Sequence, residues 1–180
     1  AFSSTQVRTE SDGNLILHDI PAIPPALSDT LSRYHDTRST NFAGWTFAGK
    51  DIYVKTRIEG VNQVHRVSSA GGAPRQISFS SEPVGEVVRQ SAGELIAFTM
   101  NQGGSGFDQI YLLDPATSQT TLLTDGESLN NRMVWDHSGT QLAYRSTRRN
   151  GGNNDVWIMD ISAPAQARTL LEVDDGALWK

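Results

Sequence analysis

The chain has 180 residues, 37% of them hydrophobic and 19% charged, with a net charge of −5 at pH 7 and no cysteine. That length and apolar content suffice for one buried core, while the acidic balance argues against a nucleic-acid partner, whose phosphates call for a basic face. The lack of cysteine excludes disulfides, thiolate metal sites and a cysteine nucleophile, and no apolar run approaches the ~20 residues of a membrane-spanning helix.

In chain order, residues 1–13 are polar and read as a loose arm without a Met start or a charged-then-apolar leader. The compartment stays open between bacterial periplasm and cytoplasm, since a cysteine-free chain fits either. Residues 14–20 read as a strand. Pro21, Pro24 and Pro25 then force an extended connector and favour a helix start, because proline lacks an N–H that the first helical turn leaves unpaired anyway. Leu27, Leu31 and Tyr34 fall at i, i+4 and i+7, which predicts a short helix over 26–35 with one apolar stripe. Residues 1–40 are therefore expected to form an N-terminal unit that packs against or closes the remainder of the fold.

From residue 41 one pattern recurs three times. A Gly-led apolar strand is followed by a Gly/Asn-rich loop, a second apolar strand opening on Gln or Asp, and a polar turn into a further strand. Gln63, Gln109 and Asp155 recur at 46-residue intervals, and Gly49, Gly93 and Gly139 at 44 and 46. The leucine-like residue of the last strand recurs at Ile77, Leu123 and Leu170. A period in the mid-forties built of short strands is that of propeller blades, each a four-stranded sheet that must stack on its neighbours to bury both faces. The middle strands, near 51–56, 94–100 and 140–146, are apolar on both faces, with Val54, Phe98 and Tyr144 in matching places. Trp45 and Trp135 sit four residues before their glycines, and Arg89 holds that place in the middle copy. The expected fold is thus all-β: a partial β-propeller with three four-stranded antiparallel blades over about 41–80, 85–126 and 131–172, preceded by a short strand and helix. A fourth blade is expected to begin at about 176, at Ala177-Leu178-Trp179.

The segments Ile20-Pro21-Ala22-Ile23-Pro24, Tyr34-His35-Asp36-Thr37-Arg38, Gln63-Val64-His65-Arg66-Val67, Gly71-Gly72-Ala73-Pro74-Arg75-Gln76-Ile77, Leu123-Thr124-Asp125-Gly126 and Arg149-Asn150-Gly151 add a resemblance. In order and spacing they resemble the N-terminal propeller of the prolyl oligopeptidase family of serine peptidases, nearest its bacterial dipeptidyl- and acylaminoacyl-peptidase branch, from about Asn14 onward. The Trp-Ser-Pro-Asp-Gly turn usual in that family and in TolB-type blades is replaced here by Trp135-Asp136-His137-Ser138-Gly139 and by Phe47-Ala48-Gly49. The resemblance implies a propeller joined to a downstream α/β-hydrolase domain with a Ser, Asp, His triad, acting on a peptide substrate. No catalytic position carries over, because the only Gly-x-Ser-x-Gly-like stretch, Gly103-Gly104-Ser105-Gly106-Phe107, lacks the last glycine and lies in a hairpin loop.

The other polar candidates read as structural. His18, His35, His65 and His137 have no spacing that joins two on one metal; Ser105 and Ser138 are turn residues without a paired base; Asp174 and Asp175 are adjacent loop acids. No catalytic, cofactor or metal residue is assigned. The loops between the two central strands of the blades carry Arg57, Met100-Asn101-Gln102 and Arg148-Arg149-Asn150 at matching positions, hence on one face of the disc. Arg57, Arg148, Arg149 and Asn150 are candidate contacts for a substrate carboxylate or a facing domain, which a guanidinium fork matches bidentately. Two functions are consistent with this reading: a non-catalytic propeller that gates substrate and docks a downstream hydrolase, or a TolB-like protein-binding module.

Overall fold

The computed structural model describes residues 7–35, 39–58 and 60–174. The elements in chain order are β1 (Val7–Glu10), a 3-10 turn (Ser11–Gly13), β2 (Leu15–His18), α1 (Pro25–His35), β3 (Thr40–Trp45), β4 (Ile52–Thr56), β5 (Gln63–Val67), β6 (Arg75–Gln76), β7 (Val84–Arg89), β8 (Ile96–Asn101), β9 (Asp108–Asp114), β10 (Gln119–Leu122), β11 (Asn130–Trp135), β12 (Gln141–Ser146), β13 (Asp155–Asp160) and β14 (Arg168–Leu171). They form three four-stranded sheets in the orders β3-β4-β5-β6, β7-β8-β9-β10 and β11-β12-β13-β14, plus the hairpin β1-β2. Every pairing is antiparallel. The partial propeller expected from the repeat is present as three blades; residues 175–180, where the repeat predicts the start of a fourth, lie outside the described residues.

The repeat alignment is also the hydrogen-bond register. Val54 pairs with His65, Phe98 with Tyr111 and Tyr144 with Trp157. Residues opposite one another share a sheet face, so each blade has a rear face toward the preceding blade and a forward face toward the next. The first core joins the forward face of blade 1 (Tyr53, Val64, Ile77) to the rear face of blade 2 (Ile96, Phe98, Tyr111, Leu113). Phe98 and Tyr111 stack there at 5.6 Å. The second joins the forward face of blade 2 (Ala97, Ile110, Leu123) to the rear face of blade 3 (Trp135, Leu142, Tyr144, Met159). Middle strands apolar on both faces are what such double burial requires.

Hydrogen bonds cross the same seams. Tyr53 donates to Glu94 at 3.0 Å, Gln90 Nε2 to the Gly139 carbonyl at 2.7 Å and Trp135 Nε1 to the Val88 carbonyl at 3.2 Å. Each innermost strand is bulged in the same region, between Phe42 and Gly44, Val84 and Val87, and Asn131 and Val134. Bulges there bend the inner strands. At the second seam the Arg132 N–H donates to the Glu86 carboxylate at 2.8 Å.

Three details depart from the sequence reading. Part of the residues expected as a loose arm is a strand: β1 pairs with β2 from Val7↔His18 to Glu10↔Leu15, because the Ser11–Gly13 turn folds the polar segment back. The helix stripe stays in solvent at Leu27 and Leu31, 49% and 42% exposed. Leu170 is not the equivalent of Ile77 and Leu123: those residues donate their N–H to the Val64 and Ile110 carbonyls, whereas a bulge between Val156 and Trp157 sets Leu171 opposite Val156, and both leucines are exposed.

Candidate functional site

The positions where each second strand opens explain much of the rim from which the candidate arginines project. Gln63 and Gln109 are buried amides. Gln63 Nε2 donates to the Ser80 carbonyl at 2.9 Å while its Oε1 accepts from Ser78 Oγ at 2.6 Å. Gln109 Nε2 donates to the Ser128 carbonyl at 2.7 Å and its Oε1 accepts from Thr124 Oγ1 at 2.7 Å and Gly126 N–H at 3.0 Å. Each amide thus ties the second strand to the segment leaving its blade. The third copy has Asp155, which has no donor to give.

Arg149 supplies it. Its Nε donates to Asp155 Oδ2 at 2.6 Å and its Nη2 to Oδ1 at 3.1 Å, while Nη2 also meets the Val173 carbonyl at 3.0 Å. Asp155 Oδ1 accepts the Val173 N–H at 2.8 Å. The ion pair therefore reproduces both halves of the glutamine amide. Glu172 and Asp174 approach the same guanidinium at 3.7 and 3.2 Å. Hydrogen bonding to Arg149 holds the Asp155 carboxyl below its usual range, and Asp155 in turn raises the Arg149 pKa.

Arg148 is placed otherwise. It is the exposed neighbour, with Nε 3.5 Å from Asp125 Oδ2 across the seam between blades 2 and 3 and its guanidinium carbon 5.3 Å from the Trp157 ring centroid. The indole face restrains the cation. Burial pushes the Asp125 carboxyl upward, but the N–H donors of Ser128 and Glu127, the Ser128 hydroxyl and Arg148 outweigh it and hold the group ionised below its usual range. Burial raises Tyr144, beneath this pair, to about 12. A cavity of about 250 Å³ opens beside Arg148, bounded also by Phe107, Asp125 and Glu127. Asn150 shapes the loop rather than facing outward alone: its Oδ1 accepts the N–H groups of Gly152 at 3.1 Å and Asn153 at 2.9 Å, an Asx-type turn. Arg57 follows β4 in blade 1, so it shares the rim but belongs to the loop two blades away.

Sequence reasoning missed three contributors to this rim. Asp125 and Trp157 flank Arg148, and their blade positions were legible but not their convergence. Asn14 Nδ2 donates to the Gly103 carbonyl at 2.6 Å, bringing the β1-β2 hairpin onto the β8–β9 loop. The remaining polar candidates stay where their local sequence put them. His18 and His137 are exposed. His65 is 1% exposed, its pKa lowered by burial and partly restored by the Gln63 carbonyl. Ser105 Oγ donates to Asn101 Oδ1 at 3.3 Å, and Ser138 bonds Asp136. Among the described residues no three His, Cys, Asp or Glu side chains converge on a metal position, and no helix is long and apolar enough to cross a membrane.

This arrangement defines a fold class, an arc of β-propeller blades, and known structures share that fold. The chain is similar to TolB from Acinetobacter baumannii (TM-score 0.57, 21% identity, 70% of this chain and 30% of that one). It is similar to a putative TolB from Agrobacterium tumefaciens (TM-score 0.61, 16% identity, 76% and 50%) and to a puromycin-hydrolyzing peptidase of Mycobacterium tuberculosis (TM-score 0.58, 16% identity, 78% and 22%). It thus spans half or less of each of these structures. No protein-family model and no curated relative matches the sequence.

Proposed function

We propose that this chain is the N-terminal propeller portion of a serine peptidase of the prolyl oligopeptidase kind, without catalysis of its own, whose rim guides peptide substrate and docks an α/β-hydrolase domain downstream in the same polypeptide. The fold shared with the mycobacterial peptidase supports the class, and the 180 residues contain no Gly-x-Ser-x-Gly elbow. The observation that carries the role of the rim is Arg148. Its 3.5 Å approach to Asp125 is a loose ion pair on a side chain 38% exposed, so the guanidinium keeps donors for an incoming carboxylate. Arg149, saturated by Asp155 and Val173, contributes by holding the loop.

Calorimetric titration with a short peptide bearing a free C-terminal carboxylate, against its amide, tests this reading. The free acid should bind more tightly, Arg148→Gln should remove the difference, and no peptide should be cleaved. Equal binding of acid and amide, or turnover of a prolyl or acylaminoacyl substrate by contaminant-free protein, would overturn it. The second reading, a TolB-like module that binds a protein partner without enzymatic activity, is favoured by the likeness to the two TolB structures. The reading frame after Lys180 separates the two: a Gly-x-Ser-x-Gly on a strand-turn-helix selects the peptidase, further repeats and then a stop select the binding module.

A further inference from the structure

Blade 2 has a neighbour on each side, and its outermost strand, β10, pairs with β9 along one edge only. The Leu123 N–H donates to the Ile110 carbonyl at 2.9 Å, so residue 123 turns its N–H toward β9. Backbone groups alternate between the two edges of such a strand. Thr121 therefore also faces β9, while Thr120 and Leu122 turn their N–H and C=O outward. All four residues of β10 are exposed. A free edge is ordinarily blunted by shortness, charge, proline or a bulge, and the outer strands of the other two blades carry such devices. β6 has two residues, opens on Arg75 and follows Pro74. β14 opens on Arg168 and is bulged against β13. β10 reads Gln119-Thr120-Thr121-Leu122, without charge or proline, and its register with β9 is unbroken. A groove of about 320 Å³ adjoins it, bounded by Leu122, by Asp125 with Arg148, and by Pro164 and Ala165 of blade 3.

We propose that the free edge of β10 seats an extended peptide, which adds to blade 2 as a fifth, parallel strand with its C-terminal carboxylate on Arg148. This rests on the reading of Arg148 as a carboxylate contact and adds the mode of binding. The chain leaves β10 toward Asp125, beside which the Arg148 guanidinium lies. A peptide that runs with β10 therefore brings its C-terminus to the cation, whereas one that runs against it brings its N-terminal ammonium there. Charge selects the parallel direction. Main-chain bonds to Thr120 and Leu122 supply affinity with little regard to side chains, as in other cases of strand addition, and Arg148 fixes where the peptide ends. A helical partner has its backbone groups paired internally and offers nothing to this edge, so the ligand class is an extended peptide with a free C-terminus.

Calorimetric titration of the chain with acetyl-Lys-Val-Thr-Val, its C-terminal amide, and two forms of the acid N-methylated at the second or the third residue tests the mode. Only alternate N–H groups of an added strand face the edge. One N-methylation should therefore weaken binding about tenfold and the other should leave it nearly unchanged. Thr120→Pro should weaken all four peptides by a similar factor with the thermal midpoint kept, since proline is tolerated where the N–H points away from the ladder. The preference of acid over amide should survive in that variant. Two N-methyl peptides that bind as well as the parent, with the acid still preferred over the amide, would overturn strand addition and leave the reading of Arg148 standing. Acid and amide that bind equally, with the alternating N-methyl pattern present, would support the edge and overturn that reading. Absence of binding by every peptide would overturn both. The N-methyl series on the wild-type chain decides the matter even where Thr120→Pro fails to fold.

Discussion

Asp155 is the residue whose chemistry is most constrained. Its side chain is fully buried and its charge is met by Arg149 and the Val173 N–H. Asp155→Ala should destabilise the chain by roughly 3 kcal/mol, the lower end for a broken buried pair because Arg149 is only partly covered. Asp155→Gln should cost clearly less, since blades 1 and 2 already use that amide in that place; urea midpoints of the two variants check the order. The pH dependence has a definite sign. A carboxyl whose folded pKa is lowered adds stability that is fully present above its unfolded value near ~3.9 and is lost as the pH falls through the lower folded value. Asp155→Gln should flatten the acid limb of a stability-against-pH curve. The tryptophans give a matched pair, 8% exposed at Trp135 and 57% at Trp45: Trp135→Ala should cost roughly 3–5 kcal/mol, and Trp45→Ala much less.

At the scale of elements, the turns before the middle strands separate by their surroundings. Gly49 and Gly139 both have positive φ, +68° and +73°. A Cβ at Gly139 would come 2.9 Å from Gln90 Cγ and 3.1 Å from the Ala92 nitrogen, while one at Gly49 meets nothing within 4 Å. Gly139→Ala should therefore lower the thermal midpoint more than Gly49→Ala, each costing at least ~1 kcal/mol from the backbone alone. The β1-β2 hairpin hangs on Asn14. Asn14→Ala removes a bond worth about 1 kcal/mol and should speed tryptic cleavage at Arg8 without moving the main unfolding transition.

Across the whole molecule, three blades were legible because each repeats the same apolar strand pair at a fixed interval, and the pairing register followed from that alignment. Features that depend on convergence between copies or on a local irregularity escaped it. The Asp125, Arg148 and Trp157 cluster draws on two blades. The Leu170 mismatch comes from one bulge, and the hairpin of residues 7–18 rests on a turn in a stretch with no apolar alternation. Of the candidate site, Arg149 is tied by an acid six residues on, a spacing readable across a hairpin once Asp155 is seen to replace glutamine.

The substitution of an ion pair for an amide in one blade of three also sets an order of events. Stacked repeats hold together through nearest-neighbour seams, so they open from whichever end is weakest. Two blades are fastened by groups that no proton can alter, and the third by a carboxylate. Acid below the ordinary carboxylate range should act as a selective key: hydrogen exchange on β13 and β14 should quicken at a pH where β8 and β9 remain protected, so that the arc unzips from its C-terminal blade toward its N-terminal one.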